Sequence, residues 1–132
     1  MNQTQTTSSR IVLYAAAADV VLVLLFAASG RASHAEGDSF FGVLLTAWPF
    51  LAGLVLAWLA SRSWRRPLRL WPNGVAVWIV TVLAGMVFRL LSGKTAQLSF
   101  VLVAAVVLGL FLLGHRALAG MLLRRRSRRR VG

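Results

Sequence analysis

Three acidic residues and no cysteine limit the chemistry this 132-residue chain can carry. One acid, Asp19, lies inside "LYAAAADVVLVLLFA" (Leu13 to Ala27), where no other residue is charged. A carboxylate in such a run either works as a proton or cation site or hydrogen-bonds a neighbouring helix to fix packing. In either role Asn would be tolerated at this position, because the amide keeps hydrogen bonding without the charge. The other two acids, Glu36 and Asp38, alternate with His34 in "GRASHAEGD". That spacing puts three ligand types on one side of an extended segment, but short polar loops commonly look the same, and a solvated loop is the reading adopted. No phosphate-binding glycine loop, nucleophile elbow, HExxH or facing pair of carboxylates occurs. The sequence therefore predicts no enzyme, no catalytic residue, no metal and no cofactor.

The elements that must position Asp19 are membrane helices. Hydrophobic residues make up 58% of the chain and charged residues 14%, and the mean hydropathy is +0.75. A soluble domain this small has too little interior to hide that much apolar surface. Four apolar runs, at about 11–29, 40–60, 74–91 and 98–118, approach the roughly 20 residues a helix needs to cross about 30 Å of hydrocarbon. Open strands would leave backbone groups unpaired in lipid, so the spans are helical. The expected fold is all-α, a polytopic integral membrane protein with a compact bundle of four transmembrane helices over 11–120. A polar segment, 1–10, precedes the bundle and an arginine-rich tail, 121–132, follows it.

Basic residues set the orientation. Arg10, then Arg62, Arg65, Arg66 and Arg69, then Arg116 and the tail "RRRSRRR" all fall on one side. The remaining loops hold Arg31, Lys94 and nearby Arg89, offset by Glu36 and Asp38. Basic residues at span ends stay inside, which predicts cytoplasmic termini in a bacterial plasma membrane. Trp58, Trp64 and Trp71 read as an indole belt at that inner interface. The first run is too long for the apolar core of a signal peptide and contains Asp19, so cleavage after "FAASGRASHA" is not expected.

Partners for Asp19 are sought on the third run. Thr81, Gly85 and Arg89 recur every four residues and form one thin polar stripe. Thr81, at Asp19's depth, is the expected hydrogen-bond partner. Arg89, about 10 Å nearer the outside at 1.5 Å per residue, would reach it through water. Trp48-Pro49 predicts a kink in the second span, and Trp78 adds a second deep indole that needs an acceptor. Together these three could line a pocket with Asp19, although packing is the commoner role for such residues. The stripe Pro49, Gly53, Ala57 and the pair Ala105, Gly109 are packing signals. Arg124, Arg125, Arg126, Arg128, Arg129 and Arg130 are expected to contact anionic lipid head groups. Nucleic acid ranks below lipid, since no folded reader or interleaved aromatics accompany the arginines.

The fragments "ADVVLVLLFAASGRASHAEG", "TAWPFLAGLVLAW", "WPNGVAVWIVTVLAGMVFR" and "SFVLVAAVVLGLFLLGHR" resemble the small four-span membrane proteins grouped as domain of unknown function family 3054, common in high-GC Gram-positive bacteria. That resemblance covers Ala18 to Arg116 and implies a fold and a membrane location, with no established activity. A looser analogy is to the small multidrug resistance transporters, which also have four spans and an acidic residue in the first helix. It implies a mechanism in which protonation of one buried carboxylate competes with a cationic substrate in a dimer. Two functions follow as expectations. One is a small transporter or proton/cation pathway, acting as a homo-oligomer with Asp19 as titrating group. The other is a non-catalytic accessory or scaffold subunit of a larger membrane complex.

Overall fold

The computed structural model describes residues 2–33, 40–95 and 97–131, with side chains over 9–30, 40–95 and 97–129. Four helices follow in order: α1 (Asn2–Ser33), α2 (Phe40–Ser61), α3 (Val75–Leu91) and α4 (Leu98–Val131). Together with the π-helical turn Leu70–Gly74 that leads into α3, they form four apolar stretches long enough to cross a membrane: Ser9–Gly30, Phe40–Ser61, Leu70–Leu91 and Leu98–Arg129. Each helix packs on its sequence neighbours, and α4 closes back on α1. The result is the four-helix bundle that the apolar runs predict.

The apolar side chains divide between a narrow core and a broad exterior. Val23, Phe26, Phe50, Leu54, Val77, Leu108 and Leu112 fill the centre. Many others point outward, among them Leu13 at 70% exposure, Leu110 at 69% and Leu83 at 62%. Such a surface would aggregate in water, and it is the surface a bundle needs when its solvent is lipid.

Small residues bring α2 and α3 together. A Cβ on Gly53 would lie 2.9 Å from the Thr81 carbonyl oxygen and 3.0 Å from the Gly85 nitrogen, both backbone atoms. Across the same contact, a Cβ on Gly85 would strike the Phe50 ring. The Pro49, Gly53, Ala57 stripe is buried along this seam. Without a hydrophobic drive between helices in lipid, such close backbone approach supplies the dispersion contact that holds them.

The helices extend past their apolar runs. Helix α1 begins at Asn2, inside the segment read as a polar lead, and α4 continues through the arginine tail to Val131. Once a span has nucleated a helix, each added residue fixes one pair of dihedrals for one hydrogen bond, and arginine is a good helix former. Helix α3 ends on Gly93, whose φ of +88° is left-handed. Its N–H donates to the Leu90 carbonyl at 3.1 Å, and that of Lys94 to Arg89 at 3.2 Å, closing two free carbonyls. Helix α2 ends on Arg62, also left-handed at φ 52°, and the Ser63 N–H returns to the Trp58 carbonyl at 3.2 Å. The Ser61 hydroxyl donates to the Ala57 carbonyl at 2.7 Å and lies 2.6 Å from the Ser63 hydroxyl. This ending turns residues 62–69 back beneath the bundle, where Pro67 meets α4.

Candidate functional site

Asp19 is fully buried, and donors from two other helices converge on it. From α4, Arg116 donates Nη1–H to Oδ1 at 2.7 Å and Nη2–H to Oδ2 at 2.6 Å, a two-pronged contact. His115 places Nε2 2.6 Å from Oδ1. From α2, the Trp58 indole N–H donates to Oδ2 at 2.8 Å. Three N–H groups and an imidazole nitrogen on two oxygens suit a carboxylate. Of these groups only His115 Nε2, in its Nδ1–H tautomer, could accept from a neutral acid, whereas the Arg116 and Trp58 N–H groups require lone pairs on both oxygens. Against an ionised carboxylate, Nε2 is the nitrogen that carries the hydrogen. His115 Nδ1 is buried without a hydrogen-bond partner. The Tyr14 ring meets His115 edge-on at 6.0 Å.

Arg116 is as buried as its partner, at 1% exposure. Two of its three remaining donors go to backbone, Nε–H to the Pro67 carbonyl at 2.9 Å and the second Nη1–H to the Leu112 carbonyl at 2.9 Å. Arg116 Nη1 and His115 Nε2 both approach Oδ1 and lie 3.0 Å from each other. The cluster therefore joins α1, α2 and α4 through the Asp19 carboxylate, and Arg116 adds the 62–69 turn. Isolated charges in hydrocarbon are strongly unfavourable, and a pair with nearly every donor satisfied is the arrangement that tolerates burial.

Local sequence explains the convergence. Ala15, Ala16 and Ala18 keep α1 thin around Asp19, which lets α2 and α4 come close. Helix side chains lean toward their own N-terminus. On antiparallel helices Asp19 and Arg116 thus lean toward each other from different depths, and the Tyr14–His115 contact sets that register.

The residues expected beside Asp19 lie elsewhere. Thr81 is buried, but its backbone faces Gly53 of α2 and its Oγ1 has no hydrogen-bond partner, so the expected bond to Asp19 is not formed. Arg89 donates Nε–H to the Thr95 carbonyl at 2.7 Å and stacks 4.2 Å over Phe100, at the opposite end of the bundle from Arg116. The Thr81–Gly85 row serves the α2–α3 seam, where it is needed for close approach, and cannot also face α1. Trp48 is 42% exposed and packs on Phe88, while Pro49 is buried on the α2–α3 seam. Trp78 donates its indole N–H to the Ala105 carbonyl at 2.8 Å. Trp48, Pro49, Trp78 and Asp19 therefore line no common pocket. Arg124, Arg125, Arg126, Arg128 and Arg129 are exposed along α4. The side chain of Arg130 lies outside the described residues, as do His34, Glu36 and Asp38.

Three members of the cluster were given other roles or none by the sequence. Trp58 reads as an interfacial indole, Arg116 as an orientation charge, and His115 carries no motif. The lean of helical side chains, applied to the fourth span instead of the third, is the signal that picks out Arg116.

A family model described as "Protein of unknown function (DUF3054)" matches residues 16–119. No curated protein and no solved structure matches the chain. The matched segment holds Asp19, Trp58, His115 and Arg116 and stops before the arginine tail, and with most of its length covered the chain belongs to the DUF3054 family.

Proposed function

We propose that the protein is a non-enzymatic membrane subunit, an accessory or scaffold component of a larger membrane assembly, in which Asp19 and Arg116 tie α1 to α4. One observation carries this reading: both carboxylate oxygens of Asp19 are taken by donors of the same chain, and the group has no exposure. A carrier exchanging protons for a cationic substrate needs its carboxylate open to both. Here the Arg116 guanidinium fills the place of that cation. Toward the α1–α2 hairpin, Val23, Phe26, Phe50 and Leu54 offer water no chain of polar groups. The arginine distribution supports a bacterial plasma-membrane location with cytoplasmic termini and with Arg124 to Arg129 among anionic head groups.

A second reading, a proton pathway in a homo-oligomer with Asp19 as titrating group, draws on His115. Its Nε2 lies 2.6 Å from Oδ1, so the carboxylate has an imidazole neighbour with which to exchange a proton. Purification in mild detergent followed by reconstitution separates the two. Foreign subunits co-purifying in fixed ratio, with no proton flux from the reconstituted chain, support the subunit role. A defined homo-oligomer that conducts protons, and stops doing so in Asp19→Asn, overturns it.

A further inference from the structure

We infer that α3 and α4 form a binding site for an anionic phospholipid, the groove between them taking one acyl chain and Arg69, Arg124 and Arg128 taking the phosphate. This inference rests on the membrane-spanning reading and deepens the head-group contact proposed above; it is independent of whether the chain assembles or conducts. The groove has a volume of about 590 Å³ and is lined by residues that include Leu70, Trp78, Ala105, Gly109, Leu113 and Ala117. That volume falls within the about 300–1,000 Å³ of ligand clefts. Its depth comes from small residues on α4. A Cβ on Gly109 would lie 2.9 Å from the Trp78 indole nitrogen, so the ring lies against the helix. Because that N–H is spent on the Ala105 carbonyl, the indole presents only ring carbons to the groove. From Ala105 to Ala117 the groove runs about 18 Å at 1.5 Å per residue. One leaflet of hydrocarbon is about 15 Å deep, half of the bilayer core. The length suits a single acyl chain lying along the helix.

Cations gather where the head group would lie. Arg69 directly precedes Leu70 at the rim, is exposed, and is oriented by its Nε–H bond to the Trp71 carbonyl at 2.9 Å. On α4, Arg124 and Arg128 follow Ala117 by seven and eleven residues. At 3.6 residues per turn both return to within about 20° of the face that lines the groove. They are exposed, and their lean toward the helix N-terminus carries them back toward the groove. Arg126 and Arg129 project from other faces of the same helix. An apolar slot ending in three arginines is complementary to a phosphate diester with chains attached. Arginine favours that group because its planar donors match phosphate oxygens.

Native mass spectrometry of the full chain in mild detergent tests the site. The probes are dioleoyl phosphatidylglycerol, the zwitterionic phosphatidylcholine of the same chains, and glycerol phosphate, which has no chains. One phosphatidylglycerol is retained, and the other two probes are not. Arg124→Gln with Arg128→Gln weakens retention about thirtyfold, as two interfacial arginines should. Arg126→Gln with Arg129→Gln, an equal loss of charge, leaves it near the parental value. Gly114→Leu projects into the groove from a position with nothing within 4 Å, so it folds, and it lowers retention at unchanged charge. Equal weakening by both arginine pairs would overturn the site in favour of diffuse attraction by the tail. Retention unchanged in Gly114→Leu, or equal binding of either other probe, would overturn it as well. Subunit composition read from the same spectra reports the proposed assembly role, so failure of one idea is seen apart from failure of the other.

Discussion

Replacing Asp19 with leucine tests how much the cluster contributes to the bundle. The variant leaves the Arg116 guanidinium buried at 1% exposure without its counter-charge. Three N–H donors, two of Arg116 and one of Trp58, lose their acceptor, and hydrogen bonds to charged groups are each about 1.5–3 kcal/mol. Their sum overstates the effect, because desolvation of the pair offsets much of it and network members are not additive. Removing one partner of a buried pair destabilises by about 3–5 kcal/mol. Arg116 keeps its bonds to the Pro67 and Leu112 carbonyls, which places Asp19→Leu at the lower end, about 3 kcal/mol. Arg116→Met should match it by stranding the carboxylate. The double variant removes both charges and should return to within about 1 kcal/mol of the parent or exceed it. Asp19→Asn belongs with the single variants. Its amide N–H group would face donors of Arg116 or Trp58, so the tolerance the sequence implies no longer follows. Equilibrium unfolding in mixed micelles measures all four. Single variants within about 0.5 kcal/mol of the parent, or a double variant equal to their sum, would refute the reasoning.

Other expectations are independent of the charge pair. Gly53→Ala should destabilise by about 1–3 kcal/mol, because its Cβ would meet backbone atoms of α3 at 2.9 and 3.0 Å and the helices must separate. Gly120→Ala, with nothing within 4 Å, should be neutral or stabilise by up to about 1 kcal/mol, and thermal melting distinguishes the two. Trp58→Phe keeps an aromatic ring, though a smaller one, and removes the N–H, leaving Oδ2 its bond to Arg116. A loss of about 1.5–3 kcal/mol in the same unfolding assay is expected, and no loss would show that the indole bond is idle. Cysteines at Ser33 and Lys94 should react with an impermeant reagent on intact cells, and one at Ser127 should not. The reverse pattern would invert the proposed orientation.

Much of the fold is legible in the sequence because lipid imposes one rule along the whole chain: apolar for about 20 residues, helical, with basic residues at one side. Asp19 stands out for the same reason, as the charge that breaks its run. Its partners do not. Arg116 fits the orientation rule so well that nothing marks it as buried, and only its lean toward Asp19's depth betrays it. Trp58 sits three residues from the end of α2, where an indole equally suits the interface. The Thr81–Gly85–Arg89 periodicity is real, but a stripe records that a face is special without saying which neighbour it meets. The Pro67 carbonyl that receives Arg116 depends on the turn after Arg62, a residue whose left-handed φ of 52° no composition rule predicts.

The most direct test of the account is whether Asp19 touches Arg116 in a bilayer. Solid-state NMR on protein labelled with ¹³C-aspartate and ¹⁵N-arginine, reconstituted in lipid, reads the carboxyl-to-guanidinium dipolar coupling. Asp19 is the sole aspartate inside a span, and Arg116→Lys identifies the Arg116 guanidinium signal by removing it. A strong Asp19 Cγ to guanidinium Nη correlation that vanishes in Arg116→Lys is the predicted result. An Asp19 carboxyl with no arginine coupling in the parent protein would contradict the account.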